Sequence, residues 1–254
     1  MDNLTDTVFA IMLVTLRLGP ALAFAPPFTL LRTPVTVRVL LAISLSIWLI
    51  AARPELVGQV AASTSFLSLV LGELLVGISI ALGLQLTFAA ILWAGRAVDI
   101  QAGFGLAMLA DPTTNAQIPL AGTILSYGAG MIFFAIGAHY DLIALWAASF
   151  ETLPVGYDLL SPDILSVAQL MSTLFLLAIG LVGISMLAIF LTDLVIAFLS
   201  RTLPQMNVLL LGFQVKAIVM LITLPICLAF ALGTYLRLIR LAVTEPSGFW
   251  QIAS

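Results

Sequence analysis

Five ionisable side chains stand inside or beside long apolar stretches of this chain: Arg17, Glu73, Asp99, Asp193 and Lys216. A charge at the centre of a bilayer costs about 2.5 to 3.5 kcal/mol even on the most forgiving insertion scale, so each needs a partner or a use that offsets it. Two kinds of chemistry would do so: a polar route through a helix bundle, or charge pairing across subunits. The plainer alternatives are snorkelling to an interface or one structural pair, and Arg17 and Lys216 fit a structural role best. Catalysis has less to work with. One histidine, one cysteine and no clustered carboxylates supply no zinc or iron ligand set and no activated nucleophile. No catalytic, cofactor-binding or metal residue is therefore expected, no cofactor, and no enzyme. Cys227 lies in an apolar run and has no second cysteine to pair with.

The elements that must position these groups are set by composition. Hydrophobic residues make up 62% of the 254 and charged residues 8%, where a soluble domain carries about a quarter. Ile164 to Leu191, a run of about 28 residues, holds no charge at all. Crossing a hydrocarbon core of about 30 Å takes about 20 apolar residues in a helix, and only helices and closed barrels cross it. Barrel strands would alternate polar and apolar residues in short segments, which these runs do not. We therefore expect an all-α polytopic protein forming a single membrane domain over 1–254. Its six apolar segments are Val8 to Leu31, Val39 to Ala52, Phe66 to Leu92, Ile118 to Ala138, Ile164 to Leu191 and Val208 to Tyr235. The second would rise only about 21 Å, so it must extend into its flanks or rest on protein. Pro20, Pro26 and Pro27 should kink or end the first. Asp2 and Asp6 replace a basic n-region, so the first helix should be retained instead of cleaved as a signal. Nine scattered cations make no basic face for nucleic acid.

Between the third and fourth segments, Trp93 to Pro119 is neither lipid-like nor an ordinary loop. Arg96, Asp99 and Gln101 come first, Gly103 and Gly105 loosen the backbone, Leu106 to Ala110 is apolar, and Asp111-Pro112 ends it. The expectation is a broken helix followed by a re-entrant loop, which at membrane depth must be surrounded by protein or a water-filled path. Gly103-Phe104-Gly105 is not a nucleotide loop, since no strand precedes it. Leu106, Met108 and Leu109 form an adaptable apolar patch that on residue type alone is ordinary packing. Glycines at 72, 77 and 83, and at 128, 130 and 137, should mark helix faces that touch protein. His139 to Asp163 carries Asp141, Glu151, Asp158 and Asp163 and no lysine or arginine, so it should face outside. Alternation from there puts the segments around Arg38, Arg96 and Arg201 in the cytoplasm and both termini outside. A sixth segment broken near Pro225 would instead return the C-terminus to the cytoplasm. Ser200 to Asn207 is a polar turn between the last two segments.

Several local patterns together resemble one family. Gly95-Arg96-Ala97-Val98-Asp99-Ile100-Gln101-Ala102-Gly103 leading to Asp111-Pro112 and Pro119 is similar to the signature of the FliR family of flagellar export-gate proteins. Gly72-Glu73, Gly137-Ala138-His139, Arg201 with Pro204-Gln205-Met206-Asn207, Leu211-Gly212-Phe213 and Lys216 agree with it, as do Arg17, Pro26 and Pro34 to Arg38. The resemblance covers nearly the whole chain. It implies a core subunit of a type III export apparatus in the bacterial inner membrane, at the flagellar basal body, assembling with FliP and FliQ homologues around a channel for unfolded flagellar proteins. It also implies a FliP-like part over 1–162 and a FliQ-like hairpin with tail over 163–254. A channel gasket or plug falls on Leu106, Met108 and Leu109, and a cytoplasmic tip near an FlhB homologue falls on Arg201, Pro204, Gln205 and Asn207. Arg17, Glu73, Arg96, Asp99, Gln101, Asp111, Asp193 and Lys216 are then polar groups buried within the assembly. Two positions depart from the family: the plug carries leucine and methionine where aromatics are common, and Gln214 follows Gly-Phe where proline is common. Related subunits of injectisome secretion systems, the SctT family, share much of the pattern. A separate reading, a small-solute transporter with Glu73, Asp99 and Asp193 as coupling groups, would require an inverted repeat, and none is visible.

Overall fold

A computed structural model describes residues 2–30, 33–57, 66–104, 120–155, 161–162, 164–202, 208–244 and 250–251. Among them the chain is helical: α1 Asp2–Phe24, α2 Val35–Ala52, α3 Phe66–Gln101, α4 Leu120–Ala135, α5 Ala138–Thr152, α6 Ile164–Thr202, α7 Val208–Phe230 and α8 Leu232–Thr244. A two-residue antiparallel bridge places Ser161 opposite Gln251 and Pro162 opposite Trp250. Five helices are long and apolar enough to cross a membrane, or six spans if the broken pair α4 and α5 makes one. The all-α polytopic architecture is as expected.

Several boundaries differ from the sequence expectation, each for a local reason. α2 gains a turn on its N-terminal side, beginning directly after Pro34 and reaching 18 residues, or about 27 Å. α1 accommodates Pro20 and stops at Phe24, ahead of Pro26 and Pro27. The third helix runs on past Leu92, where the apolar segment was expected to end. α3 continues unbroken through Arg96, Asp99 and Gln101, because no proline interrupts it and its Gly95 serves a helix contact. The helix ends only where Gly103 takes φ +94°, a left-handed geometry that a side chain would strain. His139 to Thr152, placed between the expected fourth and fifth segments, is mostly α5. It starts from Gly137, whose φ of +77° turns the backbone at the end of α4. Pro225 does not break the last span; the helical interruption falls at Ala231, and hydrogen bonds from the Ala231 and Tyr235 amides bridge it.

The contacts group the chain into two compact units. The first takes residues 1–87, 133–171 and 239–254. There α1 packs on α2, and Leu13, Val14, Leu18, Ile80, Leu84, Trp146 and Phe150 form its core. The second takes residues 88–132 and 172–238, with Ile91, Val98, Leu125, Ala178, Val182 and Met220 inside. Small residues set its helix spacing: a Cβ on Gly95 would sit 2.2 Å from the Gly122 Cα, so α3 and α4 touch backbone to backbone.

Candidate functional site

Arg17 lies on the buried stripe of α1, four residues after Leu13 and three after Val14, so helical geometry points it inward. One turn beyond Glu73 on α3, Gly77 has no side chain, and a Cβ there would come 2.6 Å from the Arg17 carbonyl oxygen. That close crossing brings Glu73 onto the guanidinium. Arg17 Nε donates to Glu73 Oε2 at 2.6 Å and Nη2 to Oε1 at 2.8 Å, a two-pronged charged pair. Nη1 donates to Ser149 Oγ at 3.2 Å, and both Nη1 and Nη2 reach the Leu153 carbonyl at 3.1 Å. The Phe150 ring lies under the guanidinium, 4.0 Å from its centroid. With 1% and 2% exposure, the pair is sealed and saturated. It has no free valence for a proton route; it ties α1, α3 and the C-terminal end of α5 together.

Nearby in the same unit, Arg53 pairs with Glu151 at 2.8 Å and donates to the Ala147 carbonyl at 3.1 Å. The cation after α2 and the acidic end of α5 therefore lie together.

The second unit holds Asp99, 4% exposed. Both its carboxylate oxygens accept from the Ala121 amide, at 3.0 and 3.1 Å. Ala121 is in the first turn of α4, where amides have no helical partner and a carboxylate suits the helix dipole. Asp99 therefore serves as a cap supplied from another helix. Gln101 Nε2 donates to the Met186 carbonyl on α6 at 3.2 Å, while its Oε1 is buried without a partner among the described residues. Arg96 is exposed and is not brought to Asp99. Phe213 on α7 lies over the Gly103 turn, where a Cβ would meet its ring at 3.0 Å, and stacks edge-on against Phe104 at 5.8 Å.

Asp193 on α6 and Lys216 on α7 form an ion pair, with side chains 40% and 22% exposed. Around it the helices present bare apolar side chains, among them Leu194, Val195, Ile218 and Leu221. Arg201 is exposed in the last turn of α6. Leu106, Met108, Leu109, Asp111, Pro204, Gln205 and Asn207 lie outside the described residues.

Among the described residues no group of three or more histidine, cysteine or carboxylate side chains is placed to hold a metal. What the geometry displays is packing and pairing inside apolar helices. The profile of the family described as Bacterial export proteins, family 1, matches residues 8–242. The chain belongs to that family. It is similar to the flagellar biosynthetic protein FliR of Bacillus subtilis, 27% identical over 237 residues covering 90% of each chain. Its likeness to the FliR of Escherichia coli is 28% over 202 residues, 78% of this chain and 76% of that one. The secretion system apparatus protein SsaT of Salmonella typhimurium is 29% identical over 200 residues, 78% of this chain and 77% of its own length. The resemblance to FliR carried by the local motifs is thus borne out, and the chain is a membrane protein of an export family.

Of the eight polar residues expected to be buried within the assembly, the structure pairs Arg17 with Glu73 and Asp193 with Lys216, and caps a helix with Asp99. Sequence reasoning missed Ser149, Phe150 and the Leu153 carbonyl, which complete the Arg17 shell; nothing local marks them. It also missed the Gly95 to Gly122 contact, although the motif glycines were a usable signal.

Proposed function

We propose that this chain is a core subunit of the flagellar type III protein export gate, forming with FliP and FliQ homologues the channel through which unfolded flagellar proteins cross the inner membrane. The family match over 8–242 carries this reading, together with the near full-length likeness to flagellar FliR proteins. The helix lengths support it. α3 with 36 residues and α6 with 39 would rise about 54 and 58 Å, well beyond a hydrocarbon core of about 30 Å. Helices of that length suit a subunit standing among other protein better than a plain bundle in lipid. In this reading Leu106, Met108 and Leu109 seal the idle channel as a dewetting constriction. Arg201, Pro204, Gln205 and Asn207 form a cytoplasmic tip beside an FlhB homologue, and both termini are periplasmic. Residues 1–162 are the FliP-like part and 163–254 the FliQ-like hairpin with its tail.

Deleting the gene and comparing flagellin and hook protein in the medium with their levels inside cells tests the assignment. Loss of the secreted proteins, restored by the intact gene, supports it; unchanged secretion overturns it. The likeness to SsaT, and to the Yop proteins translocation protein T of Yersinia pestis at 31% over 153 residues, favours one second reading, a subunit of an injectisome. In that case filaments persist while effector secretion stops. A solute transporter is disfavoured because Glu73, Asp99 and Asp193 each already hold a fixed partner.

A further inference from the structure

We infer that the open face of α8 is a lipid-headgroup site, on which Arg237 and Arg240 bind the phosphates of anionic phospholipids in the leaflet at which α7 ends. The inference goes beyond the export reading and stands on the helix itself, whichever apparatus the chain serves.

α8 sorts its residues by side. Tyr235, Leu238, Ile239, Ala242 and Val243 are buried, at the three- and four-residue spacings of one helical face. Tyr235 Oη donates to the Leu125 carbonyl on α4 at 3.3 Å, which pins that face inward. Gly233, Arg237, Arg240 and Thr244 are exposed. They follow one another at steps of four, three and four, so both guanidiniums stand on a single open stripe.

The charge on that stripe is unbalanced. Arg17, Arg53 and Lys216 each meet a carboxylate, whereas Arg237 and Arg240 meet none among the described residues. α8 itself carries no acidic residue.

What precedes the stripe says which anion fits. α7 exposes Ile218, Ile222 and Ile226, Phe230 at its end is 79% exposed, and Leu232 at the start of α8 is 49% exposed. Arg237 follows Leu232 by about 7.5 Å of helical rise and Arg240 by about 12 Å. An exposed surface that passes from isoleucine, phenylalanine and leucine to arginine within that distance repeats the order of a bilayer, acyl chains and then phosphates. Arginine suits the boundary doubly: its methylenes lie along the apolar side, and its planar fork donates to two phosphate oxygens at once. A face turned only to water would not need the bare Phe230 beside it.

The test takes the full chain in detergent, titrated with phosphatidylglycerol or with phosphatidylcholine, and counts retained lipids by native mass spectrometry. A cation near an anionic lipid surface is worth about fivefold in binding, so two should give phosphatidylglycerol a preference of about 25-fold. Raising salt from about 0.1 to about 1 M shortens the screening length from about 10 to about 3 Å and should erode that preference. Arg237→Gln with Arg240→Gln should abolish it at an unchanged melting temperature, while Arg237→Lys with Arg240→Lys should keep most of it. A glutamine double variant that prefers phosphatidylglycerol as the parent does overturns the site. Should that variant melt early, the two single glutamine variants decide: a loss of preference in each supports the site, and no loss in either overturns it. Inorganic phosphate that displaces the lipid at equal concentration would make this a free-anion site and overturn the lipid assignment. So would an intact export complex that shows no lipid preference and falls apart in the glutamine double variant, since the face would then belong to a protein partner.

Discussion

Two ion pairs in this chain use the same chemistry in opposite settings. In the first unit, Arg17 and Glu73 are sealed at 1% and 2% exposure, and the guanidinium has every direction filled by a carboxylate, a hydroxyl, a carbonyl or a ring. In the second unit, Lys216 and Asp193 pair on a helix surface whose neighbours are bare leucine, valine and isoleucine, and the pair keeps 22% and 40% of its side-chain surface open. A charge pair that is fully wrapped has completed its interactions within the chain. One left half-wrapped on an apolar face has not, and its open side faces whatever lies against that face, lipid or protein. Burial, not residue type, separates a fastener from a contact.

That contrast can be broken in order of expected effect. Removing one partner of the sealed pair strands the other charge, so Arg17→Leu or Glu73→Ala should cost about 3 to 5 kcal/mol. The readout is loss of membrane-inserted protein and of the melting transition in detergent; a variant that melts like the parent would show the pair is not a fastener. The double variant Arg17→Leu with Glu73→Met sharpens the same point. If the pair is purely structural, an apolar replacement of similar volume is close to neutral, and secretion should return with stability. Stability without secretion would give the pair a further role.

Next in size comes the crossing that presents Glu73. A Cβ at Gly77 lands 2.6 Å from the Arg17 carbonyl, so Gly77→Ala should cost about 1 to 3 kcal/mol through overpacking. Gly180 on α6 has nothing within 4 Å, so Gly180→Ala should be neutral or stabilise by up to about 1 kcal/mol from helix propensity alone. Thermal melts of the two side by side check this, and equal shifts would refute the close crossing.

For the half-wrapped pair, Lys216→Ala should cost the isolated chain less than the about 3 to 5 kcal/mol expected of the sealed pair, because the Asp193 it leaves behind is only partly buried. The same change should weaken co-purification of the chain with its export partners, and the swap Lys216→Asp with Asp193→Lys should recover part of it. An isolated chain that unfolds on Lys216→Ala would make the two pairs alike. The smallest effect is expected at Arg53, whose partner Glu151 is 65% exposed. Arg53→Ala should move the melt by at most about 1 kcal/mol.

Much of this molecule was written in the order of its residues. Apolar runs free of charge can satisfy their backbone in lipid only as helices, so the fold class and most span positions follow from composition and spacing. The motifs from Gly95 to Gly103 and around Arg201 and Lys216 carried the family resemblance. Boundaries were less legible where two local signals competed. Arg96, Asp99 and Gln101 read as a loss of lipid character, yet none of them breaks a helix, so α3 carried on to Gln101. Asp141 and Glu151 read as polar positions between two spans, yet both sit on the helix α5.

What only the tertiary structure decided is which charges meet. Arg17 and Glu73 are 56 residues apart, and Arg17 and Leu153 are 136 apart. No periodicity along the chain encodes such distances, because the partner is chosen by which helices cross and how closely their backbones approach. Gly77 and Gly95 set those approaches, and the sequence shows them only as two small residues among 18 glycines. Asp99 is the clearest case. By type it is one more costly charge in an apolar run, and only the position of the first turn of α4 makes it a cap.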